Sequence, residues 1–219
     1  MSEHDFEPVR GLPGDLPAGE RLLWQGAPDW WPLAQRAFHV RSVSIYFGVL
    51  MAWRGIATAL EGATLVASAQ SALHVAPIAI AALTLLCGLA IVTARTSVYT
   101  ITSKRVVLRF GVALPKAINI PFTIVENAAL KGFSDKTGDL ALTLIEPNKI
   151  AYFLLWPHAR PWKLARPQPA MRALADASSV AALLADALKA AHGERGGAVP
   201  APIQTPEPAA AHQAALSPA

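Results

Sequence analysis

Residues 73–94 read LHVAPIAIAALTLLCGLAIVTA, from Leu73 to Ala94, and no Lys, Arg, Asp or Glu falls between Glu61 and Arg95. As an α-helix those 22 positions extend about 33 Å, against a hydrocarbon core of about 30 Å. A soluble core helix is rarely apolar on every side over such a length. The stretch therefore predicts a membrane span. Pro77 falls in its first turns, where a missing N–H removes little helix hydrogen bonding.

Working outward, residues 42–60, SVSIYFGVLMAWRGIATAL, form a second apolar run interrupted by Arg54. Nineteen residues give about 28 Å of helix, enough to cross. Two readings of Arg54 stay open. It snorkels toward water and Glu61, or it is an intramembrane contact for a partner helix or an anionic headgroup. The link EGATLVASAQSA, 61–72, has no Lys or Arg. Arg36 and Arg41 precede the first span, and Arg95, Lys104, Arg105 and Arg109 follow the second. Cytoplasmic flanks collect positive charge, so the pattern predicts a multi-pass hairpin, both termini cytoplasmic, with a short tip on the far side. Small residues such as Gly48, Ala52, Gly55, Ala81, Ala82 and Gly88 favour close packing of the spans, and self-association as a homodimer by the same faces.

Residues 1–41 form an N-terminal arm, its start acidic and punctuated by Pro and Gly. Leu22-Leu23-Trp24 predicts a short strand or docking segment. Trp30, Trp31 and Phe38 beside Arg36, His39 and Arg41 read as an interfacial belt that continues at Arg95, or as aromatics packed on the protein's own domain.

Past the spans the period changes. TSVYTITSKRVVLRFG, 96–111, alternates, with a turn expected at Ser103-Lys104 and a bend at Gly111. KAINIPFTIVENAAL and GDLALTLIEPNKIAYFLLWP supply further short β-runs, divided by the turn chemistry of DKTGD and Pro147-Asn148. A small antiparallel sheet or barrel is expected. After the connector HARPWKLARPQP, Met171, Leu174, Ala177, Val180, Leu183, Leu184, Ala187 and Leu188 recur at three- and four-residue steps, predicting a helix over 170–192 that caps the sheet. The domain so defined is 95–192, and the Ala/Pro-rich tail 193–219 is expected to be disordered. The fold class is thus an α+β membrane protein: a transmembrane hairpin over 42–94, with spans at 42–60 and 73–94, then a β-rich domain closed by a helix.

Composition narrows the function classes. Charged residues are 16% of the 219, below the roughly 25% of soluble domains. The net charge of +4 comes without a dense Lys/Arg face, which argues against nucleic acid as partner. The single cysteine, Cys87, excludes an intramolecular disulfide and a Cys-based zinc site. The sequence holds no GxGxxG, P-loop, HExxH or GxSxG pattern and no histidine pair at ligand spacing, so no enzyme, catalytic residue, metal or cofactor is expected. His74 lies near membrane depth. By residue type alone its imidazole is solvated or hydrogen-bonded at the far interface. Trp156, His158, Arg160 and Trp162 make the densest aromatic and basic cluster outside the spans. They suit a protein or lipid-headgroup surface, or a rigid turn in which the indoles cover the sheet.

The run Tyr99, Ile101, Thr102, Arg105 and Gly111 directly after a hairpin resembles the bacterial pleckstrin-homology-like membrane proteins. Together, GLPGDLPAGERLLWQGAPDWWPLAQRAFHVR, IYFGVLMAWR and LLWPHARPWKLARPQPAMR resemble the PuhB-type photosynthetic-complex assembly proteins of purple bacteria, over about residues 5–192. That resemblance implies a pleckstrin-homology-like domain in the inner (intracytoplasmic) membrane. It also implies a non-enzymatic assembly factor for the reaction centre and core light-harvesting antenna. Their subunits and membrane lipid would be its partners, and the resemblance makes bacteriochlorophyll a relevant, unrequired ligand, whose magnesium the neutral imidazole of His74 could hold. The alternative is a membrane-anchored module that binds lipid headgroups through a rim of Lys104, Arg105, Arg109 and Lys116, without a photosynthetic client.

Overall fold

The computed structural model describes residues 11–193, apart from positions 13, 113 and 149. In chain order the elements are β1 (Leu22–Gly26), α1 (Trp30–Arg36), α2 (Val40–Leu60), α3 (Leu65–Leu73), α4 (Ala76–Thr96), β2 (Val98–Thr102), β3 (Arg105–Phe110) and β4 (Lys116–Pro121). A 3₁₀ turn, Phe122–Ile124, leads to β5 (Val125–Gly132), β6 (Gly138–Leu144), α5 (Tyr152–Leu155), β7 (Ala170–Leu174) and α6 (Ala177–Gly193). The chain divides into two compact units, one helical over 27–97 with 110–116, the other β-rich over the remainder.

In the helical unit α1, α2, α3 and α4 pack as a hairpin of two interrupted arms. Asp29 caps α1 by accepting from Trp31 N at 3.3 Å, and α1 buries Pro32, Leu33 and Ala34. His39, in the left-handed region at φ 55°, separates α1 from α2. The expected loop over 61–72 is much shorter than its sequence suggested. Thr64 caps a helix by accepting from Ala67 N at 3.3 Å, and α3 runs back against α2 from there. Val40–Leu60 and Leu65–Thr96 are each long and apolar enough to cross a membrane. Of their most apolar windows, 0% and 11% are buried within the chain. Among the described residues these stretches are thus largely exposed, unlike the mostly buried core helix of a soluble domain.

In the β-rich unit, β1–β2–β3–β4 form one sheet and β5–β6–β7 a second. The β2–β3 hairpin turns at Ser103-Lys104, as its sequence predicts. Every residue of β2 is buried, on both faces of its alternation. The expected helix over 170–192 begins only at Ala177. Residues 170–174 pair antiparallel with β6 as strand β7, all five buried. Met171 and Leu174 matched helical spacing, yet both fill the core from a strand. Positive φ at Ala173 and Asp176 keeps that strand from continuing as helix. From Ala177, α6 lays Val180, Ala181, Leu184, Ala187 and Leu188 over β5 and β6. The architecture is α+β, with two apolar helical arms ahead, in chain order, of antiparallel sheets and a C-terminal helix. The expected extended start of the arm and the tail beyond Gly193 lie outside the described residues.

Candidate functional site

The motif that follows α4 does structural work at each position. The Thr102 hydroxyl accepts from Lys104 N at 3.2 Å and Arg105 N at 3.1 Å and donates to Arg105 C=O at 3.0 Å, which closes the β2–β3 turn. Ile101 is fully buried. Arg105 Nε pairs with the buried Glu20 at 2.8 Å. Gly111, at φ 136°, occupies a bend where a Cβ would overlap the carbonyl oxygen of Leu114. Of the four expected rim cations, Arg105 is thus committed to an internal pair.

Tyr99 opens the principal buried polar network. Its oxygen accepts from Arg172 N at 3.2 Å and lies 2.6 Å from His158 Nδ1. The hydroxyl proton is then free for Nδ1, which leaves the imidazole proton on Nε2. Arg172 Nε meets Asp139 Oδ2 at 3.0 Å, and its NH1 donates to the carbonyls of Pro157 and Ala159, each at 3.4 Å. Asp139 Oδ1 accepts from Ala173 N at 2.9 Å. Burial, with the Arg172 cation adding to it, drops the His158 pKa to about 3, so the ring is neutral. Burial also pushes the Tyr99 hydroxyl well above its ordinary range. The network joins β2 to β6, β7 and the segment 156–159.

That segment is the root of an exposed loop, 151–168. His158 N donates to Leu155 C=O at 2.6 Å, Ala170 N to His158 C=O at 2.8 Å, and Arg160 N to Gln168 C=O at 2.9 Å. Above this base stand Phe153 at 86% exposure, Leu154 at 44%, Trp156 at 52%, Trp162 at 90% and Leu164 at 66%. Of the four residues expected to form a recognition cluster, Trp156, Arg160 and Trp162 are exposed. His158 is buried and serves as the loop's foundation. Phe153 and Leu154 were not singled out because AYFLLWP read as the end of a β-run, whereas 152–155 form α5; Leu164 sat in the connector after it, where a lone apolar residue draws no notice.

In the helical unit Arg54 finds a partner other than Glu61. Its NH2 donates to Ser71 Oγ at 3.3 Å, and Thr58 Oγ1 lies 3.0 Å from the same oxygen. A Cβ on Gly55 would meet Ala72 Cβ and Ser68 C=O, each at 3.5 Å, so α2 and α3 approach closely there. Arg54 is otherwise exposed, as are Ile45, Tyr46, Val49, Trp53 and Ile56 of α2. Trp30 and Trp31 are exposed by 43% and 47% and meet edge to face, centroids 5.4 Å apart. Arg36 and Arg95 end α1 and α4, Arg41 is exposed on α2, and His74 is exposed at the turn between α3 and α4. Among the described residues, no three His, Cys, Asp or Glu side chains group to hold a metal.

No solved structure matches the chain. Residues 54–188 match the family of the bacterial PH domain, a range that takes in the second helical arm as well as most of both sheets. An uncharacterised 23.7 kDa protein in the puhA 5′ region of Rhodobacter capsulatus is 41% identical over 197 residues, covering 87% of this chain and 90% of that one. On the family match and this relative, the chain belongs to the bacterial PH domain family.

Proposed function

We propose that the protein is a non-enzymatic membrane assembly factor that scaffolds subunits of the photosynthetic reaction centre and core antenna. The observation that carries this reading is the uncovered face of α2, where Ile45, Tyr46, Val49, Trp53 and Ile56 point away from the hairpin beside Arg54. Lipid tails accept such a face, and so does a transmembrane helix of a client subunit. Arg54 lies 13 positions past Arg41 and six short of Leu60, about 20 Å and 9 Å along α2. Bonded to Ser71, it is nearer the far headgroup layer than the near one, close enough to snorkel and to meet a client's acidic flank. The location of the 41%-identical relative in the puhA region supports a photosynthetic context.

In this reading the hairpin packs laterally against client helices, both termini stay in the cytoplasm, and the β-rich unit keeps the hairpin at the inner membrane. No bond is made or broken. Deletion of the gene in a photosynthetic host tests it. Reaction centre and core antenna are expected to fall together while pigment synthesis continues, and normal levels of both would end the proposal.

The headgroup-binding alternative has one observation in its favour. A groove of about 350 Å³ is lined by Ser103, Lys104, Pro121, Phe122, Thr123, Ala191 and His192. Its cationic side is thin, since Arg105 pairs with Glu20 and His192 Nδ1 lies 2.7 Å from Leu188 C=O.

A further inference from the structure

The loop 151–168 combines features that neither sheet needs. AYFLLWPHARPWKLARPQ contains no Asp or Glu and three cations, Arg160, Lys163 and Arg166. Five large apolar side chains project from it, with Trp162 and Phe153 the most exposed. The loop is nonetheless anchored at its base by the Ala159–Pro169 bridge, the Arg160–Gln168 side-chain bond at 3.0 Å and the buried His158. Its exposed residues are therefore presented rather than left to collapse onto the domain. Arg166 pairs with Glu146 at 2.9 Å, which leaves Arg160 and Lys163 as the cations beside the exposed rings. Apolar and indole side chains flanked by such cations, with no acidic residue in the loop itself, match a bilayer interface, where rings sit at headgroup depth and cations meet phosphates. A protein partner of fixed shape would ask for a pocket or a flat face around the hot aromatics. Phe153, Trp162 and Leu164 instead stand free at 66–90% exposure.

Connectivity points to the same ligand. Only Ser97 separates the end of α4 from the start of β2, so a domain following a membrane-crossing α4 cannot leave the surface of that leaflet. We propose that 151–168 is a membrane-inserting loop. Phe153, Trp162 and Leu164 enter the boundary between headgroups and acyl chains of the leaflet at which α4 ends, and Arg160 and Lys163 contact anionic lipid phosphates. The loop acts as a second foothold that fixes the orientation of the β-rich unit on the membrane. This holds whether or not the client of the hairpin is photosynthetic.

The test uses the full chain with Cys87→Ala, reconstituted in vesicles of phosphatidylcholine and phosphatidylglycerol. Single nitroxide labels are placed at Phe153→Cys, Trp162→Cys and, as an aqueous reference on α6, Asp186→Cys. All three positions are exposed, so labelling leaves the core intact. The expected result is loss of relaxation by a water-soluble nickel complex at 153 and 162 with oxygen relaxation retained, while 186 stays open to nickel. Equal nickel access at all three positions would overturn the proposal. Shielding of 153 and 162 that arises only after reaction-centre and antenna subunits are added would also overturn it, and would make the loop a protein-docking surface.

Discussion

The Tyr99 hydroxyl lies 2.6 Å from Nδ1 of His158, both side chains fully buried, and the contact ties β2 of one sheet to the loop that leads into β7 of the other. Tyr99 belongs to the family-like motif after α4, and His158 to the aromatic connector. Two segments that looked like separate functional candidates in sequence are two ends of one structural bond.

The first expected outcome is a pH dependence. Burial lowers the folded pKa of His158 from 6.5 to about 3, so between these values the unfolded chain binds a proton that the folded chain does not. Stability from this group is complete above pH 6.5, falls as the pH drops, and is gone below about 3. The slope reaches about 1.4 kcal/mol per pH unit inside the window. Thermal midpoints in detergent should fall between pH 6.5 and 5, above the carboxylate range, and His158→Gln should flatten that limb.

A second outcome concerns the Asp139–Arg172 pair, 3.0 Å apart with side chains 13% and 6% exposed. Removing one partner leaves the other charge buried and unpaired, which costs about 3–5 kcal/mol. Arg172→Ala should unfold the β-rich unit at markedly lower denaturant, read by tryptophan fluorescence. Arg160→Ala, exposed and bonded only to Gln168 among the contacts described, should shift the same transition by less than about 1 kcal/mol.

Gly111 gives a third. A Cβ there would overlap the Leu114 carbonyl at φ 136°, a conformation costly for any L side chain. Gly111→Ala should destabilise by more than about 1 kcal/mol, measured as a lowered thermal midpoint. Gly48→Ala, with nothing within 4 Å of the added carbon, should be neutral or slightly stabilising.

The fourth separates hairpin stability from client binding. Hydrogen bonds between membrane helices couple by about 0.6 kcal/mol on average. A double-mutant cycle of Arg54→Ala and Ser71→Ala, read by unfolding in mixed micelles, should return a value of that order. If Arg54 also meets a client, Arg54→Ala should lower complex yield in cells while Ser71→Ala leaves it nearly unchanged.

Much of this architecture was legible because it rests on strong local signals. The charge-free apolar run 73–94 is too long and too uniformly apolar to be a strand or a loop. Thr102-Ser103-Lys104 announces its turn through side-chain chemistry. The errors arose where short segments satisfied two periods at once. In 170–174, Met171 and Leu174 sit three apart, as on a helix, and only pairing with β6 and burial of all five residues make it a strand. Residues 65–73 are small and weakly polar, and their helix depends on Thr64 as a cap and on packing against α2. His158 was misleading for a different reason. A histidine just after Pro157 and two positions before Arg160 looks like surface chemistry, and its burial depends on Tyr99 and Arg172, 59 residues before it and 14 after it.

The most direct measurement of the central claim is photocrosslinking from the uncovered α2 face. A photoreactive residue at Ile45, Val49 or Ile56 would be activated in cells that are building photosynthetic complexes. Adducts to reaction-centre or core-antenna subunits are expected from these positions, and not from Ala79, which is buried within the hairpin. Adducts confined to lipid or to a second copy of the chain, at every stage of assembly, would contradict the account.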